Sequence, residues 1–260
     1  MPYINVNDIQ MYYEELGRGL PLILLHGGTG AIDGDLGWNA LRKSLAEYYR
    51  AIFIEYRGHG RTNNPNDRLT YEQIADDVAA FLGRLDIAPA HIAGMGDGGI
   101  VALLLGIHRP ELVRSLVCVG ANHTIDERIK SAIKRVTAEA MEEGEPDRLA
   151  ELARLHDSHR WPGYWKVVVK QVVNNVWISP QLAPDDLRRV ARPTLIIAGD
   201  NDPYGNLDQM PLMKRNIPQA ELLIVNNAGH SVQHTHAGIV GPALLEFLKR
   251  QQGRTESAKV

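Results

Sequence analysis

Ala90-His91-Ile92-Ala93-Gly94-Met95-Gly96-Asp97-Gly98-Gly99-Ile100-Val101-Ala102-Leu103-Leu104-Leu105 sets the architecture of this chain. An apolar strand runs through a glycine cluster into an apolar helix, so the chain must turn sharply between the two. Such a turn lifts one residue above the sheet and aims the free N–H groups and positive end of the helix at whatever sits there. A nucleophile belongs at that point. The turn demands small residues two places before and two places after it, where side chains would strike the neighbouring strand and helix. A nucleophile at position 96 meets this demand with Gly94 and Gly98, whereas one at Asp97 puts Met95 at the crowded place. The first frame therefore holds, and the residue it raises is Gly96, which has no side chain to attack with.

On either side of the cluster, His26-Gly27-Gly28 follows an earlier apolar strand, Tyr56-Arg57-Gly58-His59-Gly60 follows the next, and Ala228-Gly229-His230 lies near the end. Together with the glycine cluster, in this order, these segments resemble the α/β-hydrolase superfamily, and within it esterase-like members whose elbow reads Gly-x-Ser-Asp-Gly-Gly. The resemblance spans about residues 3–250 and departs from the pattern at the serine alone. Gly94-x-Gly96-x-x-Gly99 also matches a dinucleotide fingerprint, which is weak as a lone motif. That fold wants an acidic residue at the end of the next strand. Here Ser115-Leu116-Val117-Cys118-Val119 ends in Gly120-Ala121-Asn122, so no cofactor is expected.

Composition narrows the classes further. A chain of 260 residues accommodates one large α/β domain or two small ones. With 44% hydrophobic residues it can bury a sizeable core, and a net charge of −3 of mixed sign gives no footprint for nucleic acid. Cys118 is the only cysteine, so an intrachain disulfide is impossible. The first residues show no basic segment followed by an apolar run, and no stretch reaches membrane-spanning length, so the expectation is a cytoplasmic protein that does not engage membranes. Nothing in the sequence fixes the oligomeric state.

Two short alternating segments joined at Asn7-Asp8 predict an antiparallel hairpin at a sheet edge. Residues 20–25 and 51–54 read as buried strands, residues 38–48 as a helix. Thr70-Tyr71-Glu72-Gln73 is a capping box, and Ile74, Val78, Phe81, Leu82 and Leu85 form one helical stripe. The alternation of strand and helix argues for a mostly parallel sheet with helices on both faces. After Ala121 the strands stop until Pro193, with helices expected at about 126–141, 147–156, 165–177 and 185–190; the valines at 167–169 and 172–173 are also compatible with a strand. The expectation is an α/β-hydrolase core from 1–121 and 190–260 with a helical cap at 122–189, placed over the strand ends where ligands bind in such sheets. A strand at 221–225, a helix at about 238–250 and a polar tail over 251–260 complete the chain.

Acyl transfer needs a base within reach of the nucleophile and an acid that holds the base in the right tautomer. His230 matches the family's base, and Asp202 in Gly199-Asp200-Asn201-Asp202-Pro203 its acid, with Asp200 the lesser candidate. The resemblance gives the oxyanion hole to the backbone N–H groups of Gly28 and Asp97, which do not depend on a serine. It makes His26 and His59 loop-bracing residues. His230, His234 and His236 also raise a metal site, but their spacing does not put paired ligands on one helix face, and no metal is expected. Trp38, Trp161, Tyr164 and Trp165 are candidates for lining an apolar substrate pocket, against the simpler reading that the cap tryptophans, Trp177 included, pack its core. Asp97, Asp33 and Asp35, if turned inward, favour a cationic or amine-bearing substrate; solvated carboxylates are the simpler reading.

The functional expectation is an enzyme of the hydrolase class acting on an ester, amide or related acyl bond of a small molecule. Its catalytic set is Gly96, Asp202 and His230, and with glycine at the nucleophile point it is hydrolytically inactive as it stands, as an engineered serine-to-glycine exchange would be. The alternatives are a natural serine-less lyase, cyclase or isomerase that uses His230 and Asp202 for proton transfer, or a non-catalytic ligand receptor.

Overall fold

The computed structural model describes residues 3–252. Eight strands form one sheet in the order β1-β2-β4-β3-β5-β6-β7-β8. They are β1 (Tyr3–Val6), β2 (Ile9–Leu16), β3 (Pro21–Leu25), β4 (Arg50–Ile54), β5 (Ala90–Met95), β6 (Val113–Val119), β7 (Thr194–Gly199) and β8 (Ala220–Val225). β1 and β2 form the expected edge hairpin, β2 runs antiparallel to β4, and the remaining pairs are parallel.

Alternation along the strands builds a core on each face, because successive side chains point to opposite sides. In β3, Ile23 and Leu25 join the cluster under α2 (Tyr71–Arg84) and α3 (Asp97–His108), while Leu22 and Leu24 join the one under the last helix (Ala237–Gln252). The α2 start is set by Thr70, whose hydroxyl accepts a bond from the Gln73 N–H at 3.2 Å. The predicted stripe is present: Ile74, Val78, Phe81 and Leu82 are buried and Leu85 packs at the edge.

β3 and β5 are neighbours although β4 lies between them in sequence, and the connections leaving them diverge. Open α/β sheets present a crevice at such a point, at the carboxyl ends of the strands. The loop after β3 and the turn after β5 both open there.

Between β6 and β7 the chain is helical: α4 (Glu127–Ile133), α5 (Ala138–Gly144), α6 (Pro146–His156), α7 (Tyr164–Gln171) and α8 (Pro184–Arg188). The helix expected over 126–141 is broken, because the Thr137 hydroxyl accepts from the Ala140 N–H at 3.1 Å and caps a new helix. The valine-rich stretch is helix, not strand, and ends in a π-helical turn at Val172–Val176. Residues 38–48 form only a 3₁₀ turn and the five-residue α1 (Arg42–Ala46). The sequence pattern predicts no helix between β7 and β8, yet α9 (Gln209–Asn216) lies there; Pro211 falls in its first turn, where no N–H is needed. The expected tail lies outside the described residues from 253 onward. Among the described residues no helix is long and apolar enough to cross a membrane. Cys118 is buried, and burial pushes its thiol up to about 12.

Candidate functional site

The glycine cluster folds as its spacing requires. A Cβ on Gly94 would fall 2.0 Å from the Gly98 backbone, and one on Gly98 would fall 2.6 Å from the Leu25 carbonyl oxygen. Strand, turn and helix pack backbone to backbone here, which only glycine permits. Gly96 sits at the apex with φ 52° and ψ −115°, a conformation that L side chains rarely adopt. A Cβ built on it would point at His230 and lie 3.2 Å from Nε2.

His230 lies in the loop after β8, and its Nδ1 is 2.8 Å from Asp202 Oδ2. The other Asp202 oxygen accepts the Tyr204 and Gly205 N–H groups at 2.8 and 2.7 Å. Asp200 is instead occupied with the Ala228 N–H at 3.1 Å, so Asp202 is the partner of the histidine. Burial alone would raise the Asp202 carboxyl, but the His230 charge and hydrogen bonds carry it below the ordinary carboxylate range. Burial disfavours the charged His230 ring, yet the Asp202 charge and hydrogen bond outweigh it and raise the histidine above its ordinary value, with a further contribution from Asp97.

Gly28, Gly96, Asp97, Trp177, Tyr204 and His230 form the polar end of a cavity of about 450 Å³. Ile125, Ile129, Ile133, Val136 and Met141 supply an apolar wall from the helical insertion. Asp97 is 7% exposed. Its two oxygens each lie 2.9 Å from Trp177 Nε1, which donates to them. Burial is the main influence on this carboxyl, and although Trp177, Tyr71 and His230 oppose it, the group is raised to about 6.

The loop after β3 is held from below. His59 Nε2 lies 2.6 Å from the Gly28 carbonyl oxygen and its Nδ1 3.0 Å from that of Arg57. His26 Nδ1 contacts the Gly27 carbonyl oxygen at 2.8 Å, and the Tyr56 hydroxyl donates to the His26 carbonyl at 2.9 Å. His26 and His59 are buried, and burial lowers the proton affinity of both rings. Arg148 of α6 ties the insertion to the same loop by donating to the Thr29 hydroxyl at 2.6 Å, and it pairs with Glu151 one turn on in its own helix.

The sequence matches the profile of the alpha/beta hydrolase family over residues 22–241. The chain belongs to the alpha/beta hydrolase family. Curated relatives include a putative non-heme chloroperoxidase of Synechocystis sp., 28% identical, with 96% of this chain and all of that protein covered. Another is the 2-hydroxy-6-oxo-6-(2'-aminophenyl)hexa-2,4-dienoic acid hydrolase of Metapseudomonas resinovorans, 23% identical over 98% of this chain and 93% of that protein. Among solved structures, a meta-cleavage product hydrolase from Pseudomonas fluorescens IP01 is similar in fold, with a TM-score of 0.82, 23% identity, and 95% of this chain and 97% of that chain covered. The hydrolase fold expected from the sequence is therefore the fold of this chain, and its relatives are named as hydrolases and peroxidases.

In this hydrolase-fold chain Gly28, Gly96, Asp97, Asp202 and His230 converge. The aromatic residues differ from expectation. Trp38 is buried with its Nε1 donating to the Leu25 carbonyl at 2.9 Å, and Trp165 packs with Val136, Met141, Leu152 and Val169 inside the insertion. The Tyr164 hydroxyl donates to the Gly58 carbonyl at 3.0 Å, and Trp161 is 57% exposed. None of the four lines the cavity; Trp177 does. The π-helical turn before Trp177, closed by its N–H on the Val172 carbonyl at 2.9 Å, admits an extra residue and so rotates the next side chains by about 100°. Sequence periodicity carries no signal for that rotation. Asp33 pairs with Arg61 at 3.1 Å, outside the cavity, and Asp35 at its rim lies 3.5 Å from His234 Nε2. His236 Nδ1 lies 2.9 Å from the Thr235 hydroxyl oxygen, and among the described residues no group of three metal-binding side chains converges.

Proposed function

We propose that this chain carries the base, acid and oxyanion donors of a Ser-His-Asp enzyme acting on an ester, amide or related acyl bond of a small molecule, with Gly96 at the nucleophile position. As it stands it forms no acyl-enzyme. The observation that carries the reading is the 3.2 Å between the Cβ position of Gly96 and His230 Nε2, on a ring already oriented by Asp202. A hydroxyl added to that Cβ falls within hydrogen-bond reach of the base. Gly28 and Asp97, whose N–H groups the family pattern uses for the oxyanion, border the same space. The apolar wall suits an uncharged acyl or alkyl portion, and the reaction asks for no cofactor. The relative named as a dienoic acid hydrolase supports a small carbonyl compound as substrate.

Gly96→Ser tests this. Loss of a triad serine costs on the order of 10⁶ in turnover, so its return gives a large gain. The backbone strain of a side chain at φ 52° costs about 1–3 kcal/mol of stability, which a folded 260-residue domain survives. The assay is burst kinetics on p-nitrophenyl esters of short and long acyl chains. A folded Gly96→Ser protein with neither burst nor steady turnover refutes the reading. A second reading, a serine-less lyase, cyclase or isomerase working by proton transfer, is favoured by one observation: the buried Asp97 carboxyl shares the cavity's polar end with His230.

A further inference from the structure

Asp97 is the group in the cavity for which the triad has no use. Its carboxyl is turned toward the loop after β3, where a Cβ on Gly28 would fall 2.4 Å from Oδ2. Only the absence of a side chain at 28 lets a carboxyl stand beside that stretch of backbone. One Trp177 N–H serves both oxygens at 2.9 Å and the Tyr71 hydroxyl faces the carboxyl, which still leaves a lone pair available for a proton. The groups facing the carboxyl are Trp177 at the end of the π-helical turn, Tyr71 opening α2, Tyr56 after β4, and His230 after β8. Among the described residues no arginine or lysine forms an ion pair with it.

An ionised Asp97 in this position would repel any negative charge developing on an oxygen held by the Gly28 and Asp97 N–H groups. A protonated one would add a donor to the same oxygen. We propose that the Asp97 carboxyl works in its protonated form as a third donor to an oxyanion, so that the site selects carbonyl compounds that pass through an enolate-like or tetrahedral anion. Burial, which outweighs the opposing His230 charge and hydrogen bonds, keeps the proton on the carboxyl up to about pH 6, and an anion bound against it extends that range. The arrangement has the logic of a carboxylic acid kept neutral by an apolar site so that it can donate. Trp177 is a positioning residue for it, fixing the carboxyl plane from the insertion side.

The inference rests on the oxyanion role proposed above for the two backbone donors, and its test needs no serine. The probe is dinitrophenolate, an oxyanion ionised throughout the working range, and the readout is its dissociation constant against pH. His230 would itself attract the anion when protonated, so binding is measured in a His230→Gln background. Affinity is expected to fall roughly tenfold or more as pH rises through a value at or above 6, because loss of a charge-assisted bond is replaced by repulsion. In the same background Asp97→Asn, which keeps a donor and cannot ionise, removes the step and holds the affinity near its low-pH level. Asp97→Ala binds weakly at every pH. A His230→Gln protein without a step, a step surviving in Asp97→Asn, or Asp97→Ala binding as tightly as Asp97→Asn each overturns the proposal. A successful ester burst with no pH step removes only this inference, and a pH step without a burst removes only the acyl-transfer reading.

Discussion

Asp97→Asn is expected to make the protein more stable at neutral pH. A carboxyl that titrates at 3.8 when free is raised to about 6 in the folded chain, chiefly by burial. Each tenfold difference in proton affinity is worth about 1.4 kcal/mol, so holding Asp97 ionised in the fold costs about 3 kcal/mol at pH 7. The sign depends on which state binds the proton more tightly. Because the folded value lies above the unfolded one, the penalty is absent below about pH 4, grows as pH rises toward 6, and is constant above that. Asparagine has the same shape, accepts from Trp177 Nε1 through its oxygen, and turns its amide toward the Tyr71 hydroxyl without a charge to bury. Urea unfolding of both proteins at pH 4 and pH 7 measures the difference. The variant should gain about 2–3 kcal/mol at pH 7 and little at pH 4. A gap of equal size at both pH values, or a variant less stable at pH 7, would falsify the account of Asp97 as a carboxyl whose burial outweighs its favourable partners.

Three more outcomes come from the same geometry. Trp165→Ala should lower stability by about 3–5 kcal/mol, since the ring fills the core of the insertion, while ligand affinity stays within a few-fold in the fraction that remains folded; thermal melts and titrations separate the two. In Gly96→Ser protein, kcat/KM should rise with pH until the raised value of His230 is passed and then level off, because only the neutral ring accepts the serine proton; a flat profile removes His230 as the base. Adding Asp202→Asn to that protein should cost on the order of 10⁴ in kcat, with the limb moved to lower pH as the ring loses its anionic partner.

The sheet, the sharp turn and the place of the proposed base are all legible in the amino-acid order. Apolar runs at residues 20–25 and 90–95 have no polar face to show solvent, so they must be central strands. Gly94 and Gly98 are legible because backbone-on-backbone contact excludes every other residue, and that constraint is written in two letters at fixed spacing. The choice of Asp202 over Asp200 comes from its place in a family pattern, and the hydrogen bond to His230 gives it a physical cause. Which aromatic faces the cavity emerges only on folding. Trp161, Tyr164, Trp165 and Trp177 lie close together in the insertion and are chemically alike; a single π-helical turn, invisible to periodicity, brings the last of them to Asp97. Asp97 itself shows the same limit. Its position beside Gly96 is a matter of sequence, but its raised proton affinity comes from burial under elements far apart in the chain. Local spacing specifies where the backbone must turn, whereas the environment of a side chain is a sum over neighbours that only the folded chain assembles.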